Sequence, residues 1–302
     1  MTFSFIIVNW NVREHLEKCL LSIKKFNSHF NFEIIVVDNA SMDGSVAMMR
    51  ERFSQINLIA NTKNLGFAAG VNQGIKQARG EYIILLNPDV EIKESTLENL
   101  LEEFKSCADS GIVGGKIKNE DESIQPSVRA FPDVLSQVLI SLKLKHIFNS
   151  RAIGRYLTQD FDYEKRQEVD QVMGAFFAIR RKVIEQIGLM DERFFLWFEE
   201  VDFCKRAKDA GWKVIYAPKS EVLHHGGKSF GQISSTARQR IFNKSLRYYM
   251  LKHKGPIVWL VFALLQPLSL LFAFITGMFH PKLSAYTEKI PNPKHQIPNK
   301  SQ

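Results

Sequence analysis

Glu33-Ile34-Ile35-Val36-Val37-Asp38 is the stretch on which the fold turns. Four consecutive β-branched residues leave no polar face, so the segment reads as a strand covered on both sides, and it ends on an acid. Working outward, the pattern recurs. Ser4-Phe5-Ile6-Ile7-Val8-Asn9 lies upstream, Asn57-Leu58-Ile59-Ala60 follows, and Glu81-Tyr82-Ile83-Ile84-Leu85-Leu86 runs into Asn87-Pro88-Asp89. Helical stretches separate them. Leu16, Leu20, Ile23 and Phe26 form a stripe within Glu14 to Phe26, Asp43 to Phe53 begins near a capping residue, and Gly66 to Ala78 is punctuated by glycine. This alternation predicts an α/β fold with a mostly parallel sheet and helices on both faces. Such sheets bind ligands beyond the carboxyl ends of their strands. Asp38 and Asp89 both stand at that kind of position.

Further along, Leu97 to Phe104 reads as a helix and Ile112 to Gly115 as a strand. Asn119 to Asp170 is polar and irregular, a variable loop region with short helices. Val172 to Arg180 is apolar again. Glu199 to Ala210 is a helix opening on acids, which suits its N-terminal dipole. Trp212 to Ala217 is a strand, and Leu223-His224-His225-Gly226-Gly227 reads as the loop after it.

The chain has 302 residues, 45% of them hydrophobic, which excludes a disordered protein and supplies a sizeable core. Lys and Arg number 40 against 32 Asp and Glu, a net charge of +8. That balance fits an anionic partner: nucleic acid, an acidic membrane face or a phosphorylated ligand. The three cysteines, Cys19, Cys107 and Cys204, have no C-x-x-C spacing. They argue against a disulfide framework or a cysteine zinc site and for a reducing compartment. Phe3 to Trp10 has neither the basic flank nor the cleavage site of a signal peptide and reads as a buried strand.

Four groups could carry chemistry. Asp38 could accept hydrogen bonds from a nucleotide's base or ribose, or simply cap the following turn. Asp89 could bind a divalent cation bridging two phosphates, although Asn-Pro-Asp is also a turn sequence. Glu199 and Glu200, flanked by aromatics, would raise each other's pKa and suit one of them to proton abstraction; they could equally be solvated acids at a helix start. His224 could join a carboxylate at a metal or lie with His225 in a surface loop. No G-x-G-x-x-G or Walker sequence is present, so dinucleotide and P-loop readings lack their glycine cradle.

The order of these groups is more specific than any one of them. Together with Ile7 to Asn11, Val37 to Ser45, Asn64 to Gly74, Leu86 to Asp89, Gly174 to Phe176, Phe194 to Asp202 and His224 to Gly227, the sequence resembles glycosyltransferase family 2 over roughly residues 1 to 230. These are inverting enzymes of GT-A fold, and the likeness is strongest to bacterial rhamnosyltransferase-like members. The resemblance implies a GT-A architecture and a dTDP- or UDP-sugar donor. It implies that Asp38 and the backbone around Val8 and Asn9 hold the base, with Gly66 and Asn87 also on the nucleotide. It places Mg²⁺ or Mn²⁺ on Asp89 and His224, and the catalytic base in Glu199-Glu200. Many relatives have Glu-Asp there, and Glu200 is the favoured base. Asn87 replaces the first acid of the family's D-x-D-type motif.

The C-terminal fifth differs in composition. Arg238 to Lys254 is basic and aromatic, and Ile257 to Phe279 lacks any charge although Gln266 and Pro267 interrupt it. The division expected is therefore a catalytic domain over 1–235, basic and hydrophobic membrane-associated helices over 236–280 and a disordered tail over 281–302. The apolar stretch is long enough to span a bilayer, and a proline-broken pair of interfacial half-helices is the alternative. Basic residues beside it point to anionic lipid and to the cytoplasmic face of a bacterial inner membrane. A membrane-held transferase suggests a glycolipid acceptor in surface polysaccharide synthesis. A non-catalytic nucleotide-sugar-binding scaffold is the competing reading. A nucleic-acid partner explains the charge but not the acids at strand ends.

Overall fold

The computed structural model describes residues 1–26, 30–144, 150–227 and 232–279. Its elements follow in chain order. The first part comprises β1 (Phe3–Asn9), α1 (Arg13–Phe26), β2 (Phe32–Asp38), α2 (Ser45–Arg52), β3 (Asn57–Ala60), α3 (Phe67–Gln77), β4 (Tyr82–Leu86), β5 (Val90–Ile92), α4 (Thr96–Ser106) and β6 (Ser110–Lys118). The second comprises β7 (Val128–Arg129), α5 (Val134–Ser141), α6 (Arg151–Leu157), β8 (Gln167–Glu168), β9 (Gln171–Val172), β10 (Phe176–Arg180), α7 (Arg181–Ile187), α8 (Glu199–Asp209), β11 (Lys213–His224), α9 (Ser235–Lys254) and α10 (Pro256–Phe279).

The main sheet runs β3-β2-β1-β4-β10-β6-β11-β5, with β8 on the flank of β11. β3, β2, β1 and β4 are mutually parallel, as the β-α-β-α pattern requires. β10 then inserts antiparallel between β4 and β6, and β5 adds antiparallel to β11. The sheet is thus mixed α/β with a mostly parallel frame, covered on both faces.

The period-two geometry of a strand sorts the side chains. Phe3, Phe5 and Ile7 of β1, with Val36, Ile84 and Leu86, pack among Leu16 and Leu20 of α1, Met48 of α2 and Leu100 of α4. Ile6 and Val8, with Ile35, Val37, Ile83 and Leu85, pack among Val71 of α3, Val183 of α7 and Phe203 of α8. Each fully buried Val, Leu or Ile contributes about 1.5–3 kcal/mol, so both layers fix the strand ends firmly. β1 pairs with β4 only from Phe3 to Ile6 but pairs with β2 as far as Asn9. The carboxyl end of β1 therefore projects beyond its β4 neighbour.

β11 extends to His224, so His224 ends a strand and does not lie in the following loop. The C-terminal helices are continuous; α10 runs through Pro267 without splitting into half-helices. The tail expected over 281–302 lies outside the described residues.

Candidate active site

The candidate site begins at the carboxyl end of β1 and the loop after it. Asn9 donates from Nδ2 to Asp38 Oδ2 at 2.8 Å, and the Ser41 backbone N–H donates to Asp38 Oδ1 at 2.8 Å. Asp38 is buried and fixes the ends of two neighbouring strands relative to each other. Each of its oxygens keeps a further lone pair. Val8 packs on α3 at Gly70, where a Cβ would lie 2.9 Å from Val8 Cγ1. Gln232 reaches back to donate to the Asn11 carbonyl at 2.7 Å, so the chain after β11 crosses this loop.

Gly66 joins the loop after β2 to the segment that precedes α8. Its φ is +89°, and a Cβ there would stand 2.5 Å from the Phe195 carbonyl oxygen. That carbonyl accepts from Phe67 N–H at 2.7 Å, while Gly66 O accepts from Asn39 Nδ2 at 3.1 Å. Only glycine satisfies both the left-handed backbone and the close approach. Gly66→Ala is expected to destabilise the protein by about 1–3 kcal/mol, read as a lowered midpoint of urea unfolding with the slope unchanged.

Asp89 and His224 meet although they are 135 positions apart. Asn87 N–H donates to the Ala175 carbonyl at 3.0 Å and fixes the turn after β4. The chain then forms β5, whose Val90 pairs with His224 of β11. The His225 N–H donates to the Asp89 carbonyl at 2.9 Å and locks this register. Asp89 Oδ1 and His224 Nε2 come within 3.2 Å, and the two residues are only 6% and 7% exposed. His224 Nδ1 faces Gln125 Oε1 at 2.7 Å, so the ring donates there and turns the Nε2 lone pair to the carboxylate side. Nε2 has no aligned hydrogen bond among the described residues. A buried imidazole nitrogen and a buried carboxylate oxygen at this distance are reconciled by a shared proton or a shared cation, so the pair fits a divalent metal. No group of three or more His, Cys, Asp or Glu gathers around a common point among the described residues. Gln125 gave no signal in the sequence, since it sits in the irregular stretch and its role arises from tertiary contact. Gln125→Leu is expected to weaken metal affinity about 10–100-fold, measured by metal titration against nucleotide binding.

Glu199 and Glu200 begin α8. The preceding Trp197 and Phe198 both have positive φ, 65° and 72°. Two consecutive left-handed non-glycine residues cost about 1–3 kcal/mol each and are held only by dense surroundings. Phe242 and Tyr249 of α9 supply these, stacking against Trp197 and Phe198. The carboxyl side chains are thereby presented at the helix start. Burial, then the neighbouring Glu200 charge, pushes Glu199 well above the carboxylate range. Burial pushes Glu200 up to about 6, against backbone N–H groups of the first turn that favour its charge. Both acids are thus raised above the ordinary carboxylate range, with Glu200 brought to about 6. Glu200 Oε2 is buried without a hydrogen-bond partner among the described residues. Its Cβ lies in van der Waals range of Gly174, where an added Cβ would be 3.8 Å away. Gly174 precedes Ala175, the residue that fixes Asn87, so the acid and the Asp89 turn share one support.

Asp202, one turn along α8, is fully buried and receives Arg206 at 2.8 Å, His253 at 2.8 Å and Lys252 at 2.7 Å. Burial alone would raise its pKa; these three partners overcome that and lower it. Two of them come from α9, so α9 braces the helix that carries Glu200.

The sequence matches the family profile described as Glycosyl transferase family 2 over residues 4–188. It is similar to N-acetylglucosaminyl-diphospho-decaprenol L-rhamnosyltransferase of Mycobacterium tuberculosis, with 28% identity over 75% of this chain and 77% of the relative. It is also similar to rhamnosyltransferase WbbL of Escherichia coli, with 23% identity over 81% and 88%. Among solved structures, the mannosyltransferase PcManGT of Pyrobaculum calidifontis with GDP-Man and Mn²⁺ superposes at a TM-score of 0.56, with 15% identity, over 94% of this chain and 76% of that one. GalNAc-T7 with UDP, GalNAc and Mn²⁺ superposes at 0.58 with 16% identity, over 82% of this chain and 47% of that one. These establish a GT-A-like fold. With more than half its length matching the family profile, the chain belongs to glycosyl transferase family 2 and is a glycosyltransferase.

Proposed function

We propose that this protein moves a sugar, rhamnose in the first instance, from a dTDP- or UDP-linked donor to a lipid-linked saccharide in cell-surface polysaccharide synthesis, with inversion at the anomeric carbon. The observation carrying the reading is the buried Asp89–His224 pair with its orphaned Nε2. The likeness to a rhamnosyltransferase whose name specifies a decaprenol-linked acceptor supports the sugar and the acceptor class.

Asp89 and His224 would hold Mg²⁺ or Mn²⁺ against the donor's diphosphate. The ion supplies neutralisation of the charge that grows on the departing nucleoside diphosphate. Asp38, with the backbone at Val8 and Asn9, receives the base at the end of β1. Gly66 and Asn87 shape the walls beside it. Glu200 takes the proton of the acceptor hydroxyl as that oxygen attacks the sugar carbon from the face opposite the leaving group. Burial and the neighbouring Glu200 charge disfavour a second negative charge on Glu199. One direct displacement needs no nucleophile from the protein.

The working site is the cytoplasmic face of a bacterial inner membrane, where the basic and apolar segment over 236–280 meets the lipid. Among the described residues one helix stretch, Pro256–Gly277, is long and apolar enough to cross a membrane. The test is calorimetry of dTDP- and UDP-sugars with Mn²⁺ or Mg²⁺, followed by product analysis on diphosphate-linked lipid acceptors. Metal-dependent binding of one donor and a new inverted linkage on the lipid are the expected results. Donor binding indifferent to metal would overturn the role given to Asp89 and His224.

A further inference from the structure

α10 is long enough to span a bilayer: its 24 residues extend about 36 Å, against about 30 Å of hydrocarbon. Its packing forbids that use. One side of the helix is committed along its whole length. Val258 and Phe262 join Leu246, Tyr249 and Met250 in a cluster with α9. Ser269 Oγ accepts from Gln239 Nε2 at 3.0 Å and Asn243 Nδ2 at 3.1 Å, in a buried polar triad. Near its end the Ala273 carbonyl accepts from Ser235 Oγ at 3.1 Å. A small crevice lined by Ser141, Leu246 and Phe262 shows α5 meeting the same pair of helices.

The opposite side of α10 is bare and apolar. Ile257, Leu260, Leu264, Leu268, Leu271 and Ile275 recur at three- and four-residue steps, and Ile257 and Leu264 are 79% and 72% exposed. α9 is in turn fastened to the catalytic body through Ser245, Tyr248, Lys252 and His253. Its exposed residues Arg240, Lys244 and Lys254 share one side of the helix beside the α10 contact.

We infer that α10 lies lengthwise in the plane of a lipid surface, its Ile257–Leu264–Leu271 side among the acyl chains and the α9 cations at anionic headgroups. The inference rests on the membrane reading above and decides between spanning and lying flat. Were α10 to cross the bilayer, α9 and its cations would be drawn into hydrocarbon with it, a cost that charged side chains at depth make prohibitive. A flat helix with an apolar side and a flanking cationic row matches the physics of interfacial anchoring. Two copies meeting through this face would bring their cationic rows together, whereas anionic lipid neutralises them. The bare face therefore belongs to lipid. The consequence reaches the active site, because the anchored α9 also braces Asp202 on the helix that carries Glu200.

The test uses the full chain with Cys107→Ser and single cysteines at 260, 264, 268, 271 and 274, each carrying an environment-sensitive dye. Vesicles of phosphatidylglycerol with phosphatidylethanolamine carry quenchers at headgroup or mid-chain depth. All five positions are expected at the same shallow depth, with binding lost in vesicles of phosphatidylcholine alone and in the Leu264→Glu, Leu271→Glu double variant. Depth that peaks near 268 and falls toward both ends would show a span and overturn the inference. So would absence of quenching, or lipid-free protection of the dyes in a concentration-dependent dimer. Metal-dependent donor binding is measured on the same samples. Its loss would strike the proposed activity, while its retention beside a failed depth test strikes only the flat lodging.

Discussion

Glu200→Gln lowers sugar transfer by about 10²–10⁴-fold, the range expected when a positioned general base is removed. The substitution keeps the shape and deletes the charge, so donor binding with metal stays near its original strength. The loss falls on kcat. The pH profile supplies a second signature. Glu200 has a pKa raised to about 6 by burial, and the proposed role requires its deprotonated form. Activity of the parent protein therefore rises with pH through about 6 and is lost below it. In the Gln variant that acid limb disappears along with the rate. Glu199→Gln acts as the control. Burial and the neighbouring charge raise Glu199 well above the ordinary carboxylate range, so its amide changes less and leaves the acid limb in place. An undiminished Glu200→Gln enzyme would remove the base from this residue.

Asp89→Ala removes the carboxylate that shares the buried space with His224 Nε2. Metal assistance to a departing phosphate amounts to several kcal/mol, and each 1.36 kcal/mol is a factor of about ten in rate. Transfer is therefore expected to fall by about 10²–10³-fold or more. Nucleoside diphosphate binding should lose its dependence on Mn²⁺ in calorimetry, which separates this variant from Glu200→Gln. His224 remains buried with Nε2 unserved, so some stability is lost too, and circular dichroism must show the fold intact before the rate is compared. A metal titration identical to that of the parent would place the cation elsewhere.

Much of the fold was legible because strand and helix periods are local. The runs ending at Asn9, Asp38 and Leu86 became β1, β2 and β4, with helices between them. β5 and α7 were not legible. β5 has only three residues and gains its identity by pairing with the end of β11. The same pairing turned the expected loop at His224 into a strand end. At the site, Asp89, His224 and Glu200 were named from residue type, order and family likeness. Gln125 and the left-handed Trp197-Phe198 pair were not, because neither has a local pattern. The bracing of Asp202 by Lys252 and His253 joins segments some fifty positions apart and is visible only in three dimensions.

By itself the sequence determined the α/β frame, the chemical inventory and the presence of an uncharged, largely apolar stretch near the end, since each is written in neighbouring residues and their spacing. Tertiary structure alone decided that Asp89 faces His224, that burial raises the pKa of two adjacent glutamates, and that α10 is strapped along α9 instead of standing free. Those outcomes depend on desolvation and on contacts between distant segments. Both are properties of the folded packing and have no value until the chain has closed upon itself.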